Sequence, residues 1–255
     1  MDNLLVIGAG PAGLLAAGIA AQGGARVRVL AAGIGTTHIM PGWLGVLRGD
    51  GGLKPLLRTR VTEQPGHPYA LAGLDALEQG LAALRALVET AGLTYVGDLV
   101  GNFRLPTALG SEAQAAVVPA SFAAGDLADP APMLIAGPAG WRDFYPGLCA
   151  ENLARRGVSA RAATFALPEL HDSKFDATAA GVARLFDRPD VRTRVAAQLR
   201  AELKGAARVG LPAVVGLAQH RAAWEDLQAR IGVPVFEIAT LPPSVPGMRL
   251  YLALK

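Results

Sequence analysis

The residues of this chain with the clearest chemical use are three glycines near its amino terminus, Gly8, Gly10 and Gly13, spaced as Gly-x-Gly-x-x-Gly. They follow the apolar run 4–7 and lead into a segment of helical composition, so the expected order is strand, tight turn, helix. In that order the glycines permit the turn, the approach of a diphosphate and close packing of the helix. The helix N-terminus then attracts the negative charge. The spacing predicts a dinucleotide site, with a purely structural Gly-rich turn as the alternative.

A carboxylate that usually accompanies these glycines is absent. In the common fingerprint an Asp or Glu about 20 residues further on binds the ribose, or an arginine nearby accommodates an extra phosphate. Here the second predicted strand, 26–30, is followed by Ala31 and Ala32, and no carboxylate occurs between Asp2 and Asp50. This disfavours an NAD-linked Rossmann enzyme and leaves room for a flavin, including a mononucleotide.

The loop after the second strand is the next group of polar residues. The segment 33–43 is too rich in glycine and hydroxyl groups for a regular helix. Its Thr36, Thr37 and His38 could donate to a flavin or its diphosphate, and the alternative is a simple turn in which His38 is a surface or otherwise satisfied residue.

The segment 240–250 near the carboxyl end contains three prolines, so we expect no regular helix before Gly247 and a loop typical of a binding site. Arg249 is a candidate for an anionic group, because a guanidinium can hold a phosphate with paired donors. The alternative is a solvated arginine that opens a terminal helix.

Composition excludes several classes of protein. Hydrophobic residues make up 51% and charged residues 18%, with a mean hydropathy of +0.32, which is typical of a folded enzyme. The net charge is +3, but the arginines are scattered, so we predict no nucleic-acid partner. Cys149 is the single cysteine, which excludes internal disulfides, cysteine-rich zinc sites and iron–sulfur clusters. We predict no metal, so any electrons would need an organic cofactor.

The segment 4–21 is uncharged, but three glycines and a proline within residues 8–13 argue against a membrane span, and the acidic start of the chain argues against a signal peptide. We therefore expect a cytoplasmic protein.

The elements that position these residues follow from periodicity. Leucines at helical spacing predict an amphipathic helix from Leu74 to about Gly92, after an exposed connection over 49–68. The region 110–132 is predicted to be irregular, with a possible strand from Ala115 to Val118. Strands are then predicted at 133–136, 158–165, 209–215 and 234–238, with helices at 143–156, 177–186, 191–204 and 221–231. Such alternation implies parallel strands. We predict an α/β fold with a Rossmann-like FAD/NAD(P)-binding strand-turn-helix at the N-terminus and a second α/β unit of mainly parallel strands, in domains 1–129 and 130–255.

Several stretches, taken together, resemble the B subunits of anaerobic glycerol-3-phosphate dehydrogenase. They are 12–15 in the first helix, His38 with Gly42 and Leu44, His67-Pro68-Tyr69, Gly137-x-x-Gly140 followed by Asp143-Phe144, Leu167-Pro168-Glu169-Leu170, Ala183-Arg184-Leu185, and Thr240-Leu241-Pro242-Pro243-Ser244-Val245 with Gly247 and Arg249-Leu250. The last string is the most specific, and the similarity runs from end to end of the chain.

The resemblance implies a flavin-binding subunit, with FMN by the family and FAD by the dinucleotide motif. It would work with a FAD-bearing catalytic subunit and an iron–sulfur subunit that anchors the complex to the inner face of the cell membrane. The complex would oxidise sn-glycerol 3-phosphate to dihydroxyacetone phosphate with quinone as acceptor.

Specific residues follow from this resemblance. The base candidates are His38 and His67, and the candidates for the substrate phosphate are Arg249 and Arg104. We expect cofactor contacts from the first turn and from the loop after the second strand: Gly8, Gly10, Pro11, Ala12, Gly13, Leu14, Thr37, His38 and Gly42.

Length leaves an alternative open. Family members continue past the Pro-Pro-Ser-Val segment, whereas this sequence stops at Lys255. We therefore also expect that the chain could be an inactive fragment, or a non-catalytic assembly or electron-relay subunit that binds its partners without turning over substrate.

Overall fold

The computed structural model describes residues 3–172 and 177–255. The strands are β1 (Leu4–Ile7), β2 (Val27–Leu30), β3 (Tyr95–Gly97), β4 (Phe103–Pro106), β5 (Glu112–Ala115), β6 (Val117–Pro119), β7 (Met133–Pro138), β8 (Ala160–Phe165), β9 (Arg208–Pro212) and β10 (Val235–Ile238). The helices are α1 (Pro11–Gln22), α2 (Leu53–Glu63), α3 (Pro68–Ala72), α4 (Leu74–Thr90), α5 (Ala120–Ala123), α6 (Pro146–Arg155), α7 (Ala179–Phe186), α8 (Pro189–Ala201), α9 (His220–Ile231) and α10 (Val245–Leu254). Single 3-10 turns occur at Gly35–His38 and Pro168–His171.

The chain forms two compact units that are not continuous in sequence. The first comprises Met1–Phe103, Gln114–Pro119 and Gly247–Lys255, and the second comprises Arg104–Ala113 and Ala120–Pro246. These bounds differ from the predicted domains 1–129 and 130–255. The predicted division into two independently folding domains remains a prediction.

The first unit contains the predicted strand-turn-helix. Strands β1 and β2 pair in parallel, from Leu4 opposite Val27 to Ile7 opposite Leu30, and α1 connects them. The predicted amphipathic helix is confirmed as α4, whose leucine stripe is buried in a core that also includes residues of α2, β3 and α10.

The second unit contains a four-stranded sheet in the order β10-β9-β7-β8, with parallel neighbours throughout. Every residue of β7, β9 and β10 is buried, as expected for a parallel sheet that is covered on both faces. The predicted α/β fold class with mainly parallel strands is therefore confirmed.

The predicted exposed connection over 49–68 is wrong. It contains α2, in which the side chains of Leu53 and Leu57 are 0% exposed. Pro55 suggested a break in the chain, but it lies in the first turn of this helix, where a missing N–H leaves no hydrogen bond unmade. The prolines and charges of this segment therefore led to the prediction of an exposed connection, whereas it forms a helix whose leucines belong to the core.

Two further segments are more regular than predicted. The region 110–132 contains β5, β6 and α5, and β6 pairs with β3 in an antiparallel arrangement. Strands of three or four residues are too short to show a clear alternation of side chains. Helix α10 begins at Val245, two residues before Gly247, because Pro246 again falls in a first helical turn.

Cys149 gives a first test of this fold. The thiol is fully buried in the second unit and donates to the carbonyl oxygen of Thr107 at 3.4 Å. Burial raises the pKa of the thiol to about 12, so very little thiolate is present at neutral pH. We expect slow reaction of the folded chain with Ellman's reagent and immediate release of one equivalent after unfolding in urea. A fast reaction of the folded chain would contradict the burial of Cys149.

The same shift has a consequence at high pH. Because the pKa of the folded-state thiol lies above that of an unfolded cysteine, the free energy of unfolding decreases as the pH rises from the pKa of an unfolded cysteine towards about 12.

Candidate functional site

The turn after β1 has the conformation that its glycines predict. Gly8 has a φ angle of +106°, in the region that favours glycine, and its N–H donates to the carbonyl oxygen of Leu30 at 2.7 Å. Within the described residues, a Cβ added at Gly8 or Gly10 would meet no atom within 4 Å. The backbone therefore faces open space here, as the approach of a ligand requires.

Two other glycines hold this turn against its neighbours. A Cβ at Gly13 would lie 2.2 Å from the carbonyl oxygen of Gly8, so only glycine lets α1 lie this close. Gly35 has a φ angle of +62°, and its Cβ would lie 2.8 Å from the Cα of Gly10. The 3-10 turn Gly35–His38 is thereby placed directly beside the glycine turn. Sequence reasoning did not single out Gly35, whose only signal is its place in a glycine-rich loop.

The N-terminus of α1 offers free amide groups. Its N-cap is Gly10, its first residue is Pro11, and no side chain of the described residues caps it. The first helical hydrogen bond runs from the N–H of Leu14 to the carbonyl oxygen of Gly10 at 3.0 Å. The amides of Ala12 and Gly13 are thus available to an anion, and the helix dipole adds positive potential at the same place.

The 3-10 turn contributes Thr37 and His38. Thr37 is fully buried, and its hydroxyl group donates to the carbonyl oxygen of Ile34 at 2.6 Å. The hydroxyl hydrogen is therefore already used within the turn. In the part of the chain that the structure describes, the buried Nδ1 atom of His38 has no hydrogen-bond partner. An unsatisfied buried nitrogen is unfavourable, so a polar group of a ligand would fit there.

Helix α10 brings Gly247 and Arg249 into the first unit. A Cβ at Gly247 would lie 1.8 Å from the carbonyl oxygen of Thr37, so the helix lies against the 3-10 turn. Tyr95 donates to the carbonyl oxygen of Gly42 at 2.5 Å. Burial raises the pKa of Tyr95 well above its usual value, and the positive charge of Arg249 reduces this increase. Arg249 is 5% exposed. Tyr95 is a residue that sequence reasoning missed.

The other two candidates have local partners. The Nδ1 atom of His67 accepts a hydrogen bond from the N–H of Tyr69 at 3.1 Å and thereby caps α3. Arg104 lies in the second unit, where its Nη2 atom is 2.7 Å from the carboxylate of Glu112. The structure therefore gives His67 and Arg104 structural contacts, whereas His38 has an unused nitrogen.

An apolar pocket of about 240 Å³ lies beside the first turn of α1, within the first unit. Its lining residues are Pro11, Ala12, Leu15, Leu44, Ala76, Leu77, Gly80, Leu81, Leu84 and Leu250. From the sequence, Leu77, Leu81 and Leu84 belong to the apolar stripe of an amphipathic helix, and no pocket was predicted. Its position next to the free amides suits the apolar part of a ligand whose anionic part lies at the turn.

One face of the β1–β2 pair is exposed and mostly apolar. Leu5, Ile7 and Leu30 are 52%, 83% and 51% exposed, and the register places them on one face together with exposed Arg28. Val6 is on the opposite face, beside Gly13 of α1. Parallel sheets are usually covered on both faces, so this surface has the character of an association surface.

Within residues 3–172 and 177–255, no three His, Cys, Asp or Glu side chains lie close enough together to hold a metal ion. No helix in these ranges has the length and hydrophobicity needed to cross a bilayer.

A parallel β-α-β unit with an open glycine turn and an uncapped helix N-terminus defines a nucleotide-binding protein of the Rossmann type. The chain belongs to the FAD binding domain family, whose model matches residues 3–254. Membership of this family indicates flavin binding, and FAD is consistent with it. The predicted cofactor class, a flavin, is therefore confirmed.

The chain is also similar to curated B subunits of anaerobic glycerol-3-phosphate dehydrogenase. It is 32% identical to the one from Pectobacterium atrosepticum, over 99% of this chain and 63% of that protein. It is 31% identical to the one from Yersinia enterocolitica, over 99% of this chain and 62% of the relative. A protein from Halobacterium salinarum, whose name marks it as a probable member of the same group, is 30% identical over 98% of this chain and 61% of the relative. The resemblance noted in the sequence is therefore confirmed.

The chain spans a little over three fifths of the length of these relatives. No solved structure matches it significantly.

Proposed function

We propose that this chain is the flavin-binding subunit of a glycerol-3-phosphate dehydrogenase complex at the cytoplasmic face of the cell membrane. The complex oxidises sn-glycerol 3-phosphate to dihydroxyacetone phosphate and passes the electrons to quinone. The observation that carries the proposal is the open glycine turn at an uncapped helix N-terminus, in a chain whose relatives are named as such subunits.

The residues at the turn fit a flavin. The amides of Ala12 and Gly13 would hold its phosphate or diphosphate, and the unpartnered Nδ1 atom of His38 would meet a polar group of the cofactor. The end of β2 offers no ribose carboxylate, which favours the mononucleotide FMN over FAD. A bound flavin supplies the acceptor for the two electrons of the oxidation.

The proton and the phosphate of the substrate need groups from the protein. Of the two base candidates, His38 is favoured, because it belongs to the 3-10 turn beside the glycine turn, whereas His67 caps α3. Of the two phosphate candidates, Arg249 is favoured, because it lies in the same unit as the glycine turn, whereas Arg104 lies in the second unit. Pro11, Leu14, Thr37 and Gly42 complete the proposed cofactor site by shaping the backbone around it.

The partners in this proposal are a FAD-bearing catalytic subunit and an iron–sulfur subunit that anchors the complex to the membrane. The exposed apolar face of the β1–β2 pair favours a second candidate, a non-catalytic assembly or electron-relay subunit. In that case the surface binds a partner, and no substrate is oxidised on this chain.

Dye reduction with glycerol 3-phosphate separates the two candidates. The purified chain, loaded with FMN, is assayed alone and after addition of the catalytic subunit. The enzyme proposal expects dye reduction that increases when the partner is added and falls when His38 is replaced by glutamine. Binding of the partner without any gain of activity would favour the non-catalytic candidate.

A further inference from the structure

The strand order of the second unit predicts where a ligand would bind. From β7 the chain passes to β8 on one side and then to β9 on the other side of β7, so the direction of winding changes beside β7. Open parallel sheets bind ligands outside the carboxyl ends of their strands at such a switch point. The loops that follow β7 and β9 are therefore the places to search.

The amides of the loop after β9 are already bound by a carboxylate of the same chain. The carboxylate of Asp187 accepts hydrogen bonds from the amides of Leu217, Ala218 and Gln219 at 3.0, 3.1 and 3.0 Å. Three convergent amides would otherwise attract an anion. Because Asp187 fills this position, the loop after β9 has no room for a phosphate.

The loop after β7 is open. A cavity of about 560 Å³ lies beyond the carboxyl end of this strand, and its lining includes Gly140, Arg142, Asp143, Leu170 and Thr178. The neighbouring Trp141 is 4% exposed and donates from Nε1 to the carbonyl oxygen of Ala177 at 2.8 Å, which fixes the loop. The cavity is therefore bounded by a loop of defined conformation.

The polar groups of this loop have no partners within the described part of the chain. The Arg142 side chain is exposed and the Asp143 side chain is half-buried, and neither forms an ion pair or a side-chain hydrogen bond there. The amides of Gly140 and Arg142 likewise donate no backbone hydrogen bond among these residues. One short loop thus carries a guanidinium, two amides and a carboxylate without such partners, on residues that line the same cavity.

This set of groups matches one ligand chemistry. A guanidinium and backbone amides together bind a phosphate, and a carboxylate accepts hydrogen bonds from hydroxyl groups. We propose that the cavity beside Arg142 binds a small phosphate monoester that carries hydroxyl groups, with Arg142 on the phosphate and Asp143 on a hydroxyl. Two compounds have this chemistry, glycerol 3-phosphate and the ribityl phosphate of FMN. The choice of glycerol 3-phosphate rests on the proposed function, and the cavity would be an additional binding position for it besides the one that Arg249 would provide.

The test is calorimetric titration of the purified chain with sn-glycerol 3-phosphate, FMN, inorganic phosphate and glycerol. Arg142→Gln is expected to weaken binding of glycerol 3-phosphate by about tenfold or more, the usual effect of losing a charge-assisted pair of about 1.4 kcal/mol or more. Asp143→Asn should weaken binding of glycerol 3-phosphate relative to that of inorganic phosphate, which has no carbon-bound hydroxyl group for Asp143 to hold. The matched control is Arg156→Gln, which removes another exposed charge at the far end of α6 and should change nothing.

The outcomes separate this inference from the proposed function. Binding of glycerol 3-phosphate that depends on Arg142 supports the inference even if the chain retains no flavin, in which case the proposed function fails. Binding of FMN that depends on Arg142 also supports the site and assigns it to the nucleotide. Affinity that is equal in Arg142→Gln and Arg156→Gln, or the absence of binding by any phosphate compound, would overturn the inference while leaving flavin binding at the glycine turn intact.

Discussion

Replacing Gly13 with alanine is expected to abolish flavin retention and to lower the free energy of unfolding by about 1–3 kcal/mol, the usual cost of an overpacked contact. The added methyl group would lie 2.2 Å from the carbonyl oxygen of Gly8, a backbone atom that cannot rotate away. Helix α1 would then have to move from β1, and the amides of its first turn would move with it. Absorbance after desalting measures the retained flavin, and urea unfolding measures the stability.

The control for this substitution is Gly147→Ala in α6. A Cβ at Gly147 would meet nothing within 4 Å among the described residues, and alanine is better than glycine in a helix by about 1 kcal/mol. We expect unchanged flavin retention and equal or higher stability. If Gly13→Ala retained as much flavin as this control, the glycine turn would not be the binding site.

Replacing Arg192 with methionine is expected to lower the free energy of unfolding by about 3 kcal/mol, the lower end of the range for breaking a buried ion pair. Arg192 is 7% exposed. It donates to the carboxylate of Asp226 at 2.6 Å and to the carbonyl oxygens of Phe186 and Asp187 at 2.8 and 2.9 Å. The loss is limited because Arg230 also pairs with Asp226. Urea unfolding measures the effect.

An exposed arginine is the appropriate comparison. Arg188 pairs with Asp190 at 2.8 Å, but both side chains are about half exposed, so Arg188→Met should cost less than about 1 kcal/mol. Equal losses in the two variants would contradict the role given to Arg192 as the link between α7, α8 and α9.

The Arg192 variant should also respond less to acid. Hydrogen bonds from Arg230 and then Arg192 lower the pKa of Asp226. Because this pKa lies below that of an unfolded aspartate, the stabilisation is present above about pH 4 and is lost as the pH falls through the folded-state value. We therefore expect a smaller loss of stability between neutral and acidic pH in Arg192→Met than in the unmodified chain.

The glycine turn was predictable from sequence because its conformation depends on residues a few positions apart. Gly8 has a positive φ angle, Gly13 lies too close to Gly8 for any side chain, and Gly10 leaves the turn open to a ligand. The alternation of strands and helices after Met133 was predictable for the same reason, since each element has its own periodicity. In contrast, α2 was not predicted, because Pro55 in its first turn cannot be told from the sequence apart from a proline that ends a helix.

The rest of the site depends on contacts between distant residues. The approach of Gly247 to Thr37 joins positions that are far apart in the chain, and no local pattern indicates it. The pairing of Arg104 with Glu112 and the capping of the Tyr69 N–H by His67 join residues that are close in sequence, but the residue types alone do not indicate these contacts. Sequence reasoning could therefore nominate histidines and arginines, but it could not tell which of them already have structural partners.

The most direct test of the account is the absorbance spectrum of the purified chain before and after incubation with FMN or FAD and removal of free nucleotide. We expect the visible bands of an oxidised flavin and about one nucleotide retained per chain, with FMN retained better than FAD because β2 ends without a ribose carboxylate. A colourless chain that retains neither nucleotide would contradict the claim that the turn from Gly8 to Gly13 is a working flavin site.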